Sequence, residues 1–60
     1  MRKVYVIKYV DSKMYYYKFG SVKWTKNISG ADYIVSKQQT EDIIKTLPKG
    51  KYEITKIYIN

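Results

Sequence analysis

Cysteine and histidine are absent from the 60-residue chain, proline occurs once, glycine three times, and only five residues are acidic. Without cysteine, neither a disulfide nor a thiolate metal site can stabilise the fold, and without histidine the usual zinc ligands are missing as well. The three glycines, Gly20, Gly30 and Gly50, are isolated, so no glycine-rich loop exists to cradle a phosphate. Acid-base chemistry recruits histidine or a convergent pair of carboxylates, and nucleophilic catalysis needs a base beside the nucleophile. Here Glu41 and Asp42 are adjacent on a predicted helix and point in different directions, while Asp11, Asp32 and Glu53 sit beside turns or at a strand start. The chain therefore reads as non-enzymatic, with no cofactor and no metal. Its first apolar run, Val4–Val10, is too short for a membrane span and is charged at Arg2, Lys3 and Lys8. A cytoplasmic protein without membrane contact is expected.

Basic residues and tyrosine are abundant. Twelve lysines and arginines against five acids give a formal charge of +7, which suits an anionic partner or an acidic protein surface and also favours solubility. Lys3, Lys8, Lys13, Lys18 and Lys23 recur every five residues and so alternate between faces of an extended chain, forming a fringe rather than a patch. At 60 residues the chain is one domain, residues 1–60, with a thin core.

The N-terminal third is a tyrosine-rich hairpin. Val4–Val10 and Met14–Phe19 carry β-branched or aromatic residues at nearly every position, which suits a pleated, packed surface. A two-residue loop at Asp11-Ser12 puts Val4, Val6, Val10, Tyr15, Tyr17 and Phe19 on one face, with Tyr5, Ile7, Tyr9, Met14 and Tyr16 on the other. A three-residue loop moves Tyr15, Tyr17 and Phe19 across, because the side-chain period is two. Asp-Ser is a weaker turn signal than Asn-Gly, so both registers stay open.

Further along, Val22–Thr25 reads as a third strand, Lys26–Ala31 as a corner and Tyr33–Val35 as a fourth strand. Ser36 with Gln39 has the form of a capping box, and Thr40, Ile43, Ile44 and Leu47 line one side of the helix that follows. Leu47-Pro48 ends it, and Lys51–Asn60 is the closing strand. The expected fold is α+β: a small antiparallel sheet of about five short strands, in the order β-β-β-β-α-β, with one helix packed across one face through Ile43, Ile44 and Leu47.

One helix covers one face of such a sheet, which leaves the other to a partner. Tyrosines interleaved with lysines make either a protein interface or a stacking platform for single-stranded nucleic acid. Many of the same rings equally serve as core and cross-strand pairs. The candidate contact residues are Tyr5, Tyr9, Tyr15, Tyr16, Tyr17, Lys8, Lys18 and Trp24, the last either an interface anchor or half-buried core. A two-fold homodimer is expected through the hairpin face not covered by the helix, with Tyr5, Tyr9, Tyr15, Tyr16 and Tyr17 at its centre.

The opening Arg2-Lys3-Val4-Tyr5-Val6-Ile7-Lys8, a tyrosine-rich second strand, and the run Val22-Lys23-Trp24-Thr25-Lys26-Asn27-Ile28-Ser29-Gly30-Ala31 lead to Tyr33-Ile34-Val35, a short helix and a closing Tyr52-Glu53-Ile54 strand. This arrangement resembles small accessory proteins of Gram-positive phages and prophages, over nearly the whole chain. No catalytic or ligand residue is carried over from it. The resemblance implies a protein that binds a host protein stoichiometrically, such as an inhibitor of a bacterial defence or nucleic-acid-handling protein, in the host cytoplasm. The alternative it allows is a small basic nucleic-acid-binding protein.

Overall fold

The β-branched run at the start of the chain forms β1 (Arg2–Tyr9), which a computed structural model of residues 1–60 places inside a four-stranded antiparallel sheet. Two hairpins add β2 (Met14–Phe19) and β3 (Ser21–Thr25) on one side of it. After a 3-10 turn at Ile28–Gly30 comes α1 (Lys37–Thr46), and β4 (Tyr52–Ile59) then pairs with the full length of β1 on its other side. The strand order is β3-β2-β1-β4.

The architecture is α+β as expected, with four strands instead of about five. Tyr33–Val35 forms a single bridge, Ile34 with Tyr5, and is not a strand. The reason lies in how β1 and β2 separate. They pair only at Lys8 with Tyr15 and Tyr9 with Met14. The segment after the corner then bridges the gap: Asp32 donates its N–H to Tyr16 at 3.0 Å, and Ile34 exchanges two backbone bonds with Tyr5 at 2.7 and 2.8 Å. A stretch that gives one end to β2 and the other to β1 cannot form a ladder with either.

The hairpin loop settles the register. Val10–Lys13 is a four-residue loop closed by the Lys13 amide on the Tyr9 carbonyl at 2.9 Å, with Lys13 in the left-handed region at φ 59°. The pairing puts Tyr15, Tyr17 and Phe19 on the face of Val4 and Val6, the same division that a two-residue loop gives, since both loop lengths are even. Ser12 supports the bend by accepting the Met14 amide at 3.2 Å.

Ser36 caps α1 by accepting the Gln39 amide at 3.4 Å, and Leu47 leaves the helix just before Pro48. The helical spacing aligns Thr40, Ile43, Ile44 and Leu47 toward the sheet, where Thr40 and Leu47 are buried and both isoleucines partly so. Leu47 joins Ile7, Tyr16 and Ile34 in one buried cluster, with Trp24, Ile43, Ile44 and Tyr52 packed around it. Val4 and Val6 are outside this cluster yet almost wholly buried. Successive strand residues face opposite ways, so Val6 and Ile7, both at 0% exposure, show that β1 is covered on both faces. On the helix-free side Thr55 and Ile57 of β4 pair directly with Val6 and Val4, and Tyr15 of β2 pairs with the adjoining Lys8, all three partly buried.

Urea denaturation tests the two-sided core. Ile7→Ala is expected to cost about 2–5 kcal/mol, and Val6→Ala about 1.5 kcal/mol or more from its two lost methyl groups. A neutral Val6→Ala would show that the helix-free face is not closed.

Candidate interaction surfaces

The rings at one end of the helix face are occupied with each other. Tyr9 and Tyr52, directly paired across β1 and β4, stack at 5.2 Å between centroids. Trp24 of β3 lies 5.6 Å from Tyr9, 6.1 Å from Tyr52 and, edge-on at 74°, 6.1 Å from Tyr16. In a flat sheet β3 and β4 would stand about 14 Å apart, three strand spacings. Contact between Trp24 and Tyr52 therefore requires the sheet to curl around this end of the helix face. Two further contacts hold the cluster: the Tyr52 hydroxyl donates to the Pro48 carbonyl, and Gly50 packs so close that a Cβ there would sit 2.8 Å from Cε1 of Tyr9.

The pairing sorts the expected contact residues. Tyr16, at 5% exposure, is core and not surface. Tyr5, Tyr9 and Trp24 share its face and are half-buried, Tyr5 beneath the Lys3 ammonium at 6.0 Å. Lys18 is exposed, and its backbone N–H donates to Oδ2 of Asp32 at 3.0 Å. Only Tyr15, Tyr17 and Lys8 of the expected set lie on the helix-free face. The five tyrosines assigned to a dimer centre thus cannot meet on one surface, because Tyr5, Tyr9 and Tyr16 point to the helix side.

On the helix-free face the pairing aligns Lys8 with Tyr15 and Tyr17 with Lys23, and ends at Phe19, which is 80% exposed. The Lys8 ammonium stands 6.0 Å from the centre of the Tyr15 ring. Phe19 and Lys23 are not among the expected contact residues, because a phenylalanine inside an aromatic run looks like core and Lys23 looks like one member of a dispersed fringe. The period-two pattern alone placed Phe19 beside Tyr15 and Tyr17.

A second feature gave no sequence signal. An open groove of about 500 Å³ runs between the 32–35 segment and α1, lined by Asp32, Tyr33, Ile34, Val35, Gln39, Asp42 and Ile43. Its residues come from two stretches that only the fold brings together. No protein-family model, curated protein or solved structure matches the chain.

Burial, and then the nearby Asp32 carboxylate, push the Tyr16 hydroxyl above its ordinary pKa of 10.0. The folded state therefore favours neutral Tyr16: its contribution to stability is complete below the unfolded value and is lost as pH rises through the folded one. As pH rises above about 10 the melting temperature of the parent chain is expected to fall more steeply than that of Tyr16→Phe; parallel slopes would count against it. For the aromatic end, Gly50→Ala is expected to cost about 1–3 kcal/mol by crowding Tyr9, with a changed near-ultraviolet dichroism from Trp24. An unaltered spectrum and midpoint would show that the cluster yields freely.

Proposed function

We propose that this chain is a non-enzymatic accessory protein of the phage type that docks on an acidic surface of a host protein, through the helix-free sheet face. The observation that carries this reading is Phe19, 80% exposed at the end of β2 in line with Tyr15 and Tyr17. An exposed phenylalanine adds nothing to the fold that its burial would, roughly 1.5–3 kcal/mol. Buried against a partner it becomes an aromatic anchor, the residue type in which binding energy concentrates. Lys8, Lys23 and Arg2 on the same face speed the encounter with an anionic surface and orient it. Inhibition of a defence or nucleic-acid-handling protein in the host cytoplasm is the role that such stoichiometric capture would serve.

Direct binding of single-stranded nucleic acid is the second reading, favoured by the cation over Tyr15 on a face that also carries Tyr17. A second copy of the chain competes for the same face. Capture from a Gram-positive host lysate, with parent and Phe19→Ala as baits, tests the leading reading. A host protein held by the parent and lost about tenfold or more with Phe19→Ala is expected, at unchanged melting temperature. Equal capture by both would refute it. Micromolar binding of single-stranded DNA that weakens steeply with salt would replace it with the second reading, and a solution mass above 7.2 kDa that falls with Phe19→Ala would assign the face to self-association.

A further inference from the structure

The ladder between β1 and β4 fixes which way the backbone of β4 points. Tyr5 exchanges its amide and carbonyl with Ile34, so the backbone groups of Lys3, Tyr5, Ile7 and Tyr9 turn away from β4 and those of Val4, Val6 and Lys8 turn toward it. The partners of the second set, Ile57, Thr55 and Glu53, bond to β1, and the Lys51 carbonyl, accepting the Val10 amide at 3.0 Å, continues the alternation. Tyr52, Ile54, Lys56 and Tyr58 therefore turn their amides and carbonyls outward, and β4 is the last strand of the sheet on that side. None of the backbone bonds outside the helix and strands involves these groups. The edge is also long and regular, since all eight residues of β4 stand opposite a residue of β1. An unpaired edge of this kind is a template for another strand.

Its side chains select what can be added. On the helix side Lys3 pairs with Tyr58 and Tyr5 with Lys56, so two cations and two rings alternate in a square. Lys3 and Lys56 are exposed, and Tyr58 is 59% exposed. Neither strand places an acid on that side, where the other residues are Ile7, Tyr9, Tyr52 and Ile54. On the helix-free side Thr55, Ile57 and Ile59 form a partly buried row, with Glu53 at its end. The strand that fits is acidic on one side and apolar on the other. Phosphates meet the lysines but not the edge, because their oxygens only accept and the outward carbonyls need donors. A second copy would bring another Lys56 and a further charge of +7 to the same place.

We infer that the outer edge of β4 accepts an extended acidic segment of a partner protein as an added antiparallel strand, with its acidic side chains on the side of Lys56 and Lys3 and its apolar ones beside Thr55, Ile57 and Ile59. Strand addition takes its affinity from main-chain bonds and its selectivity from alternate side chains. β1 lies between this edge and β2, which carries Phe19, so the inference stands independently of docking on the helix-free face.

The test is a nuclear magnetic resonance titration of the full chain with a short synthetic peptide alternating glutamate and valine. When its glutamate side chains lie beside Lys56, the glutamate amides point at β4. One control is therefore N-methylated at the glutamates, and the other carries lysine in their place. The parent peptide is expected to move the amide resonances of Ile54, Lys56 and Tyr58 and to slow their hydrogen exchange, while neither control does so. Lys56→Gln should weaken the peptide about two- to fivefold, and Phe19→Ala should leave it unchanged. No shift at these amides up to millimolar peptide would overturn the inference. Equal binding of the N-methylated peptide would do the same, because attraction of charge alone needs no edge, and so would equal binding of the lysine peptide. Peptide-free shifts of the same amides that grow with protein concentration would also overturn it, by assigning the edge to a second copy.

Discussion

Closure of β1 on both of its faces is the constraint from which the rest of this small fold follows. In so short a chain the entropy of ordering the backbone, about 1–2 kcal/mol per residue, leaves little margin, and apolar burial on both sides of the central strand widens it. Val6 and Ile7, adjacent and both fully buried, place apolar volume on either side of one central strand. Full-length pairing with β4 on one edge, and shared pairing with β2 and Ile34 on the other, leave the backbone of β1 largely satisfied. A conventional two-layer domain has one side of the sheet in water. Here the helix supplies the cover on one side and partly buried strand side chains supply it on the other.

That division also sorts the aromatic residues. Tyr9, Trp24 and Tyr52 close the helix face at its curled end, and Tyr16 lies in the core beneath α1, so these rings hold the architecture. Tyr15 and Tyr17 lie over the valine side with their outer surfaces free, and Phe19 projects beyond them. The rings proposed for recognition are thus Phe19, which the core leaves exposed, and the two tyrosines that the core only partly covers. The helix-free face carries Lys8 and Lys23 together with one acid, Glu53 opposite Lys8, while Asp32 and Asp42 lie at the groove.

Much of the fold was legible because its signals are local. Ser36 with Gln39 marks the helix start, Leu47-Pro48 marks its end, and the spacing of Thr40, Ile43, Ile44 and Leu47 marks its buried side; each depends on residues within a turn or two. Strands β1 to β4 were readable for the same reason. The bridge of Ile34 to Tyr5 was not, because a β-branched triplet looks alike whether it forms a ladder or spans a gap. The hairpin faces depended on loop length, and a left-handed lysine at position 13 is not a turn signal that composition reveals. The separation of Tyr16 from Tyr15 and Tyr17 followed once that length was known. The groove was illegible throughout, since it needs α1 to be docked beside residues 32–35 before it exists.

The division of the rings can be measured directly, without a partner, by the relaxation that a soluble gadolinium chelate imposes on aromatic side-chain protons. Broadening should be greatest at Phe19, intermediate at Tyr15 and Tyr17, weak at Trp24, Tyr9 and Tyr52, and least at Tyr16. Broadening of Tyr16 or Trp24 to the level of Phe19 would contradict the account, because the rings assigned to the core would then be open to solvent and the surface assigned to recognition would have no claim over them.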